Sequence, residues 1–220
     1  IHAIDGLLLD LGVSSFQLQE PERGFSFRNN GPLDMRMDPG KKLTAAELLN
    51  TLPEKDLQEL IFRYGEEKWS DRIARSICRA RALKPLTCTQ ELVEIVTLAI
   101  PRPCHSRKIH PATRTFQALR IAVNGELESL VHALEDAVDI LEPGGRVCVI
   151  SFHSLEDRLV KHTFRKLAMD CICPPSLPVC GCEKKAQLTV LTRHPVIPSP
   201  EEVDKNPSSR SAKMRSAEKQ

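Results

Sequence analysis

Two apolar runs, Ile4-Asp5-Gly6-Leu7-Leu8-Leu9-Asp10-Leu11-Gly12 and Arg146-Val147-Cys148-Val149-Ile150-Ser151, stand at the two ends of a long, mostly helical stretch. Each has the length and apolarity of a strand buried on both faces of a parallel sheet. This pairing constrains the fold more than any other feature, because parallel strands are joined by crossovers, usually helical. The expected fold class is therefore α/β, a sheet domain in two pieces with an all-helical unit inserted between them. In open parallel sheets ligands bind beyond the carboxyl ends of the strands. That rule brings the loop from Asp10 to Gln17 and the corner Ser151-Phe152-His153-Ser154 toward one crevice.

The segments between the runs read as follows. Thr44-Ala45-Ala46-Glu47 is a capping box ahead of Leu48, Leu49 and Leu52. Pro53 opens a second helix through Leu57, Leu60 and Ile61, and a third runs from about Ser70 with Ile73 and Ile77 on one face. A fourth begins at Thr89 and ends before Pro101-Arg102-Pro103. One long amphipathic helix is then written by Leu119, Val123, Leu127, Leu130, Leu134, Val138 and Leu141, stopping at Glu142-Pro143-Gly144-Gly145. Leu155 to Ala168 is a helix with Asp157, Arg158, Lys161 and Arg165 outward, and Leu188 to Thr192 is a last β-prone run before a Pro-rich, polar tail. The loop between Val13 and Pro39 is long and rich in turn residues, which marks it as functional or disordered; its Phe and Met content argues against disorder.

With 220 residues, 41% of them hydrophobic, the chain has enough material for a core. No apolar run approaches the ~20 residues that span a bilayer, and the opening lacks the pattern of an export signal. The net charge is only +2, so affinity for a polyanion must come from charge distribution. Three stretches are locally basic: Arg63 to Lys84, Pro101 to Arg120 and Lys205 to Gln220. Arg72, Arg75 and Arg79 fall on one helical stripe apart from Ile73 and Ile77, which suits phosphates unless Glu66, Glu67 and Asp71 neutralise them. Of the eight Cys, four are clustered as Cys171-Ile172-Cys173 and Cys180-Gly181-Cys182. Thiols in a chain without an export signal are core fillers, metal ligands or reactive groups before they are disulfides. Four within twelve residues suit a structural, tetrahedral zinc site, with a reduced, metal-free loop as the alternative.

Six words in fixed order carry a resemblance: Asp10-Leu11-Gly12-Val13-Ser14-Ser15, Glu22-Arg23-Gly24-Phe25-Ser26-Phe27, Gly31-Pro32-Leu33-Asp34-Met35-Arg36-Met37-Asp38, Tyr64-Gly65-Glu66-Glu67, Thr113-Arg114-Thr115-Phe116-Gln117-Ala118-Leu119-Arg120 and Ser151-Phe152-His153-Ser154-Leu155-Glu156-Asp157-Arg158. With them the chain resembles the RsmH, or MraW, family of small-subunit ribosomal RNA cytosine-N4 methyltransferases, over essentially its whole length. The resemblance implies a class I, Rossmann-like methyltransferase with an inserted helical domain. It would use S-adenosylmethionine to methylate the exocyclic amine of a cytidine in 16S rRNA. Expected boundaries are 1–41 and 109–169 for the two parts of the Rossmann-like core, 42–108 for the RNA-facing helical insert, and 170–220 for the Cys-rich segment, late strand and basic tail. The family's Gly-rich cofactor loop lies upstream of the first residue here, so the chain is expected to be part of a longer enzyme. Its alternative reading is a non-catalytic RNA-binding fragment. The implied partner is small-subunit rRNA or the small ribosomal subunit in the cytoplasm, without membrane; homodimerisation is left open.

The resemblance puts cofactor contacts on Asp10 and Gln17. The N4 amine is a poor nucleophile because its lone pair is delocalised, so acceptor oxygens at the strand tips are needed to hold it. Asp10 is the first candidate, with Ser151 and His153 beside it, against the alternatives that Asp10 caps a turn and His153 caps the following helix. Phe25 and Phe27 either stack on a turned-out base or anchor their loop. Arg72, Arg75 and Arg79, with Arg114, Arg120, Arg210, Lys213 and Arg215, are the candidate RNA-backbone contacts. Cys171, Cys173, Cys180 and Cys182 are the candidate metal ligands. A zinc-dependent nucleic-acid module is the remaining reading.

Overall fold

A computed structural model describes residues 3–107, 109–174 and 181–220. By packing, the chain divides into Val13–Glu126 and a second unit made of Ile1–Gly12 with Leu127–Gln220. No helix among the described residues is long and apolar enough to cross a membrane.

The first unit is helical: α1 (Ser15–Gln19), α2 (Ala45–Thr51), α3 (Glu54–Gly65), α4 (Ser70–Leu83), α5 (Thr89–Ala99) and α6 (Thr113–Asn124). The Thr44 capping box forms as written, with Thr44 Oγ1 accepting from the Glu47 amide at 3.2 Å and Glu47 Oε2 accepting from the Thr44 amide at 3.0 Å. The apolar stripes converge on Leu49, Leu57, Ile61, Ile73, Ile77, Leu92 and Leu119, all fully buried. The loop ahead of α2 belongs to this core as well: Leu33 and Met35 are sealed inside it, and Asn124 clamps the loop by accepting from the Met37 amide and donating to the Met35 carbonyl. The packing boundaries therefore fall at 12/13 and 126/127, not at the 41/42 and 108/109 expected from text, because loop side chains and α6 bury their apolar faces among the helices. Phe25 lies under the Arg23 guanidinium, and Phe27 meets His110 at 4.8 Å and Phe116 at 5.2 Å. Both aromatics are anchors of the loop.

The long helix expected through Leu141 is two helices. Gly125 sits at φ 64°, the left-handed conformation of a helix C-terminus, and its amide closes on the Ile121 carbonyl at 2.9 Å. Apolar periodicity runs straight across this residue, which is why the pattern concealed the break.

The second unit contains β1 (Ile4–Asp10), α7 (Glu126–Ile140), β2 (Leu141–Ser151), α8 (Ser154–Leu167), β3 (Leu188–Val190), α9 (Pro200–Lys205) and β4 (Lys213–Lys219). The strand order is β1-β2-β4-β3, with β1 parallel to β2 and β4 antiparallel to both of its neighbours. Pro143-Gly144-Gly145, where the helical pattern stops, is an irregularity inside the paired strand: the register jumps from Ile4 opposite Leu141 to Gly6 opposite Arg146. β1 is not buried on both faces; Leu8 is 63% exposed and, among the described residues, the strand pairs only with β2. The core is built by Leu130, Leu134 and Val138 from α7, Val147 and Val149 from β2, and Val160 and Phe164 from α8, with Leu188 and Ala217.

The largest departure from expectation is β4. Its text, Lys213-Met214-Arg215-Ser216-Ala217-Glu218-Lys219, reads as a polar tail, yet it is an inner strand with Arg215, Ser216 and Ala217 buried. The charges are accommodated singly. Arg215 Nε donates to Asp157 Oδ1 at 2.7 Å, Arg146 pairs with Glu218 at 2.9 Å, and Lys219 Nζ donates to the Val138 carbonyl. No apolar alternation survives such pairing for the eye to find.

Candidate functional site

In the sheet unit the two expected strand tips are neighbours. Asp10 is the register partner of Ile150, and the next amide, Leu11 N–H, donates to the Ile150 carbonyl at 3.0 Å, one residue before Ser151. Asp10 ends the strand with an exposed carboxylate that makes no hydrogen bond or ion pair among the described residues. Gly12 follows at φ 94° with nothing within 4 Å of where a Cβ would stand, so a bound molecule can lie directly on the backbone there.

The β2 tip is more committed. Ser151 is 2% exposed and its hydroxyl donates to the Lys213 carbonyl at 3.2 Å. His153 is the N-cap of α8: its Nδ1 accepts from the Glu156 amide at 3.4 Å, while Glu156 Oε2 accepts from the amides of Phe152 and His153 at 2.9 and 3.3 Å. An accepting Nδ1 leaves the proton on Nε2. That nitrogen lies 3.2 Å from Glu156 Oε1 but is not aligned for a hydrogen bond, and it is buried without one among the described residues. Ser151 and His153 thus shape the corner, and Asp10 is the open functional group at this edge.

Away from the strand tips, beside the second half of α8, is a basic depression of about 390 Å³. Lys161 and Arg165 reach it from α8, Arg193 from just beyond β3, and Arg215 from β4, over a floor of Phe164 and Val190. Arg215 is 8% exposed and spoken for by Asp157, which also meets Lys213 at 3.5 Å. Burial raises the Asp157 pKa, but the Arg215 hydrogen bond and the charges of Arg215 and Lys213 outweigh it, so the carboxylate is held below its usual range. Lys161, Arg165 and Arg193 pair with no acid among the described residues. Text alone does not join Arg193 to α8, since the neighbourhood exists only once β3 returns beside that helix.

In the helical unit, Gln17 is half of a capping box, its Oε1 accepting from the Ser14 amide at 2.9 Å. Arg72, Arg75 and Arg79 are exposed on one stripe of α4. Arg72 stacks over Trp69 at 5.5 Å, and Arg75 approaches Glu54 at a loose 3.7 Å. Arg114 donates to the Glu66 carbonyl at 3.1 Å. Arg120 is held bidentately by Glu126 at 2.9 and 3.0 Å with its side chain 18% exposed, a structural pair. Arg210 is exposed ahead of β4. This unit also has a cleft of about 620 Å³ among Glu67, Trp69, His105, His110 and Arg114. Glu67 is 5% exposed and one of its oxygens accepts from the Trp69 amide at 3.0 Å. The sequence reading missed this cleft; its textual traces were the word Tyr64-Gly65-Glu66-Glu67 and Arg114 in the word Thr113 to Arg120.

Three of the four clustered thiols are described. Cys171, Cys173 and Cys182 place their sulfurs within 4.8 Å of one another; Cys180 lies outside the described residues.

Comparison with known proteins identifies the family of the chain. The model of the MraW methylase family matches residues 1–220. The chain belongs to the MraW methylase family. The MraW-family chain is 55% identical over 217 residues to Ribosomal RNA small subunit methyltransferase H of Syntrophobacter fumaroxidans, covering 99% of this chain and 68% of that protein. It is 56% identical to the protein of the same name from Pelobacter propionicus and 51% to that of Clostridioides difficile, each over 219 residues and 70% of the relative.

Proposed function

We propose that this chain serves the S-adenosylmethionine-dependent methylation of the N4 amine of a cytidine in small-subunit rRNA. The observation that carries the reading is the exposed Asp10 carboxylate at the β1 tip, one register step from Ser151 on β2. S-adenosylmethionine supplies an electrophilic methyl on a sulfonium, an excellent leaving group. The residues present fit it in kind: Asp10 is an unengaged acceptor for a cofactor amino or hydroxyl group, and the Gly12 backbone permits close approach.

The protein's task is alignment of amine, methyl and sulfur, which is worth ~7 kcal/mol or more when geometry is held. His153 is no general base in this reading, because Nδ1 is occupied as a cap; it and Ser151 hold the corner rigid. Proton release from the methylated amine needs no group of unusual pKa, since the amine becomes strongly acidic as it alkylates. RNA binding falls to the exposed cations of α4, Arg210 and the depression of Lys161, Arg165 and Arg193, acting on phosphates. The cleft of Glu67, Trp69 and Arg114 has the make-up of a nucleotide site: a ring face, a buried carboxylate and a guanidinium.

Calorimetric titration with S-adenosylmethionine, and methyl transfer from labelled donor to small-subunit rRNA, test the proposal together. Donor binding and label in N4-methylcytidine are expected. RNA binding without donor binding would instead assign the chain as a non-catalytic RNA-binding fragment.

A further inference from the structure

The loop joining α8 to β3 is stitched at its two ends. Gln187 N–H donates to the Leu167 carbonyl at 2.8 Å, Ala186 N–H to Asp170 Oδ1 at 3.2 Å, and Lys184 Nζ to the carbonyls of Lys166 and Met169. Cys171 and Cys173 leave this closure and Cys182 returns to it. Their sulfurs converge within 4.8 Å, and Cys171 Sγ and Cys182 Sγ stand 3.8 Å apart. A disulfide would hold that last pair at about 2.05 Å. Two thiolates on one zinc ion, each at about 2.3 Å and at the tetrahedral angle, stand about 3.8 Å apart.

The backbone also points at the sulfurs. Cys173 N–H donates to Cys171 Sγ at 3.3 Å and Ile172 N–H to Cys182 Sγ at 3.5 Å. Amide donors aimed at sulfur stabilise the thiolate and tune it as a ligand. Among the described residues of the loop none is buried, Ile172 being 62% exposed, so their own packing does not account for the convergence. A C-x-C pair and a returning Cys, preorganised by peptide hydrogen bonds and a closed loop base, have the donor set of a soft, borderline cation.

From this geometry we infer that Cys171, Cys173 and Cys182 hold a single structural zinc ion that closes the α8–β3 loop. Binding replaces three S–H bonds by three Zn–S bonds and releases the three protons to solvent. The site is independent of methyl transfer, whose chemistry requires no metal.

The full chain, purified under reducing conditions, reconstituted with zinc chloride and desalted, tests this by elemental analysis, with cobalt(II) substitution as a second probe. About one zinc per chain is expected, and cobalt should give thiolate charge-transfer absorption with the intense visible bands of tetrahedral coordination. Cys171→Ser with Cys182→Ser should lower bound zinc at least tenfold, while Cys78→Ser keeps it. Chelation should raise amide hydrogen exchange at Lys184 to Gln187 and spare β2 and β4. Less than a tenth of an equivalent of zinc in the reconstituted wild-type chain would overturn the inference. So would iron with inorganic sulfide, a disulfide among these cysteines in the alkylated protein, or zinc retained by the double variant. The cobalt spectrum is read on the wild-type chain, so a variant that fails to fold does not blunt the test.

Discussion

Asp10, Asp157 and His153 show how one residue type takes opposite roles by position. Asp10 ends a strand in solvent without a partner among the described residues, whereas Asp157, 14% exposed, neutralises a buried guanidinium. Asp10→Ala is predicted to weaken S-adenosylmethionine binding by about tenfold to a hundredfold, the worth of a hydrogen bond to a charged group at ~1.5–3 kcal/mol. Calorimetry reads it, and an unchanged melting temperature shows that the fold is intact; unchanged affinity would remove Asp10 from the site. Asp157→Ala leaves Arg215 buried and unpaired. It should cost about 3 kcal/mol in denaturant unfolding, with Asp157→Asn costing less because its amide oxygen still accepts from Arg215. His153 was legible as either a base contact or a cap, and only the 3.4 Å bond from the Glu156 amide to Nδ1 distinguishes them.

Helix starts were the most legible elements, because their signals are local: the Thr44–Glu47 capping box and the starts at Ser70 and Thr89 all lie where the text puts them. The loop entering α5 adds a pH-dependent contact that text does not show. Glu91 accepts from Lys84 Nζ at 2.8 Å and from the amides of Thr87 and Cys88, and the Lys84 hydrogen bond is the main cause of its pKa falling from 4.5 to about 2. A depressed folded pKa stabilises fully above the unfolded value and is lost as pH falls through the folded one. The stability difference between wild type and Glu91→Gln should therefore be largest near neutrality and shrink between about pH 5 and 2. Melting temperatures across that range measure it, and a constant difference would refute the contact. Where elements were misread, at Gly125, at the bulge in β2 and at β4, the deciding interactions are non-local or rest on one backbone angle.

Across the sheet unit, the carboxyl edge runs from Asp10 through Ser151 to Lys213, about 10 Å for two strand spacings, and the basic depression lies beyond it beside the second half of α8. RNA bound to the sheet unit is expected to seat phosphates on Arg165 and Arg193. The double variant Arg165→Gln with Arg193→Gln is predicted to weaken binding of a single-stranded RNA and to lower the salt exponent by about 1.4, or ~0.7 per lost phosphate contact. Fluorescence anisotropy over a salt series reads this, and equal slopes for variant and wild type would take the depression out of the interface. The two apolar runs, the helix caps and the six family words needed only neighbouring residues or preserved order, so the sequence by itself determined the α/β class, the helical insert and the strand-tip location of Asp10. Tertiary structure decided that a charged tail becomes an inner strand, that the Val13–Pro39 loop belongs to the helical core, that Arg193 joins α8 and that three thiols meet. Each of these depends on a partner distant in sequence, such as Asp157 for Arg215 or Asn124 for Met37, whose position no local pattern encodes.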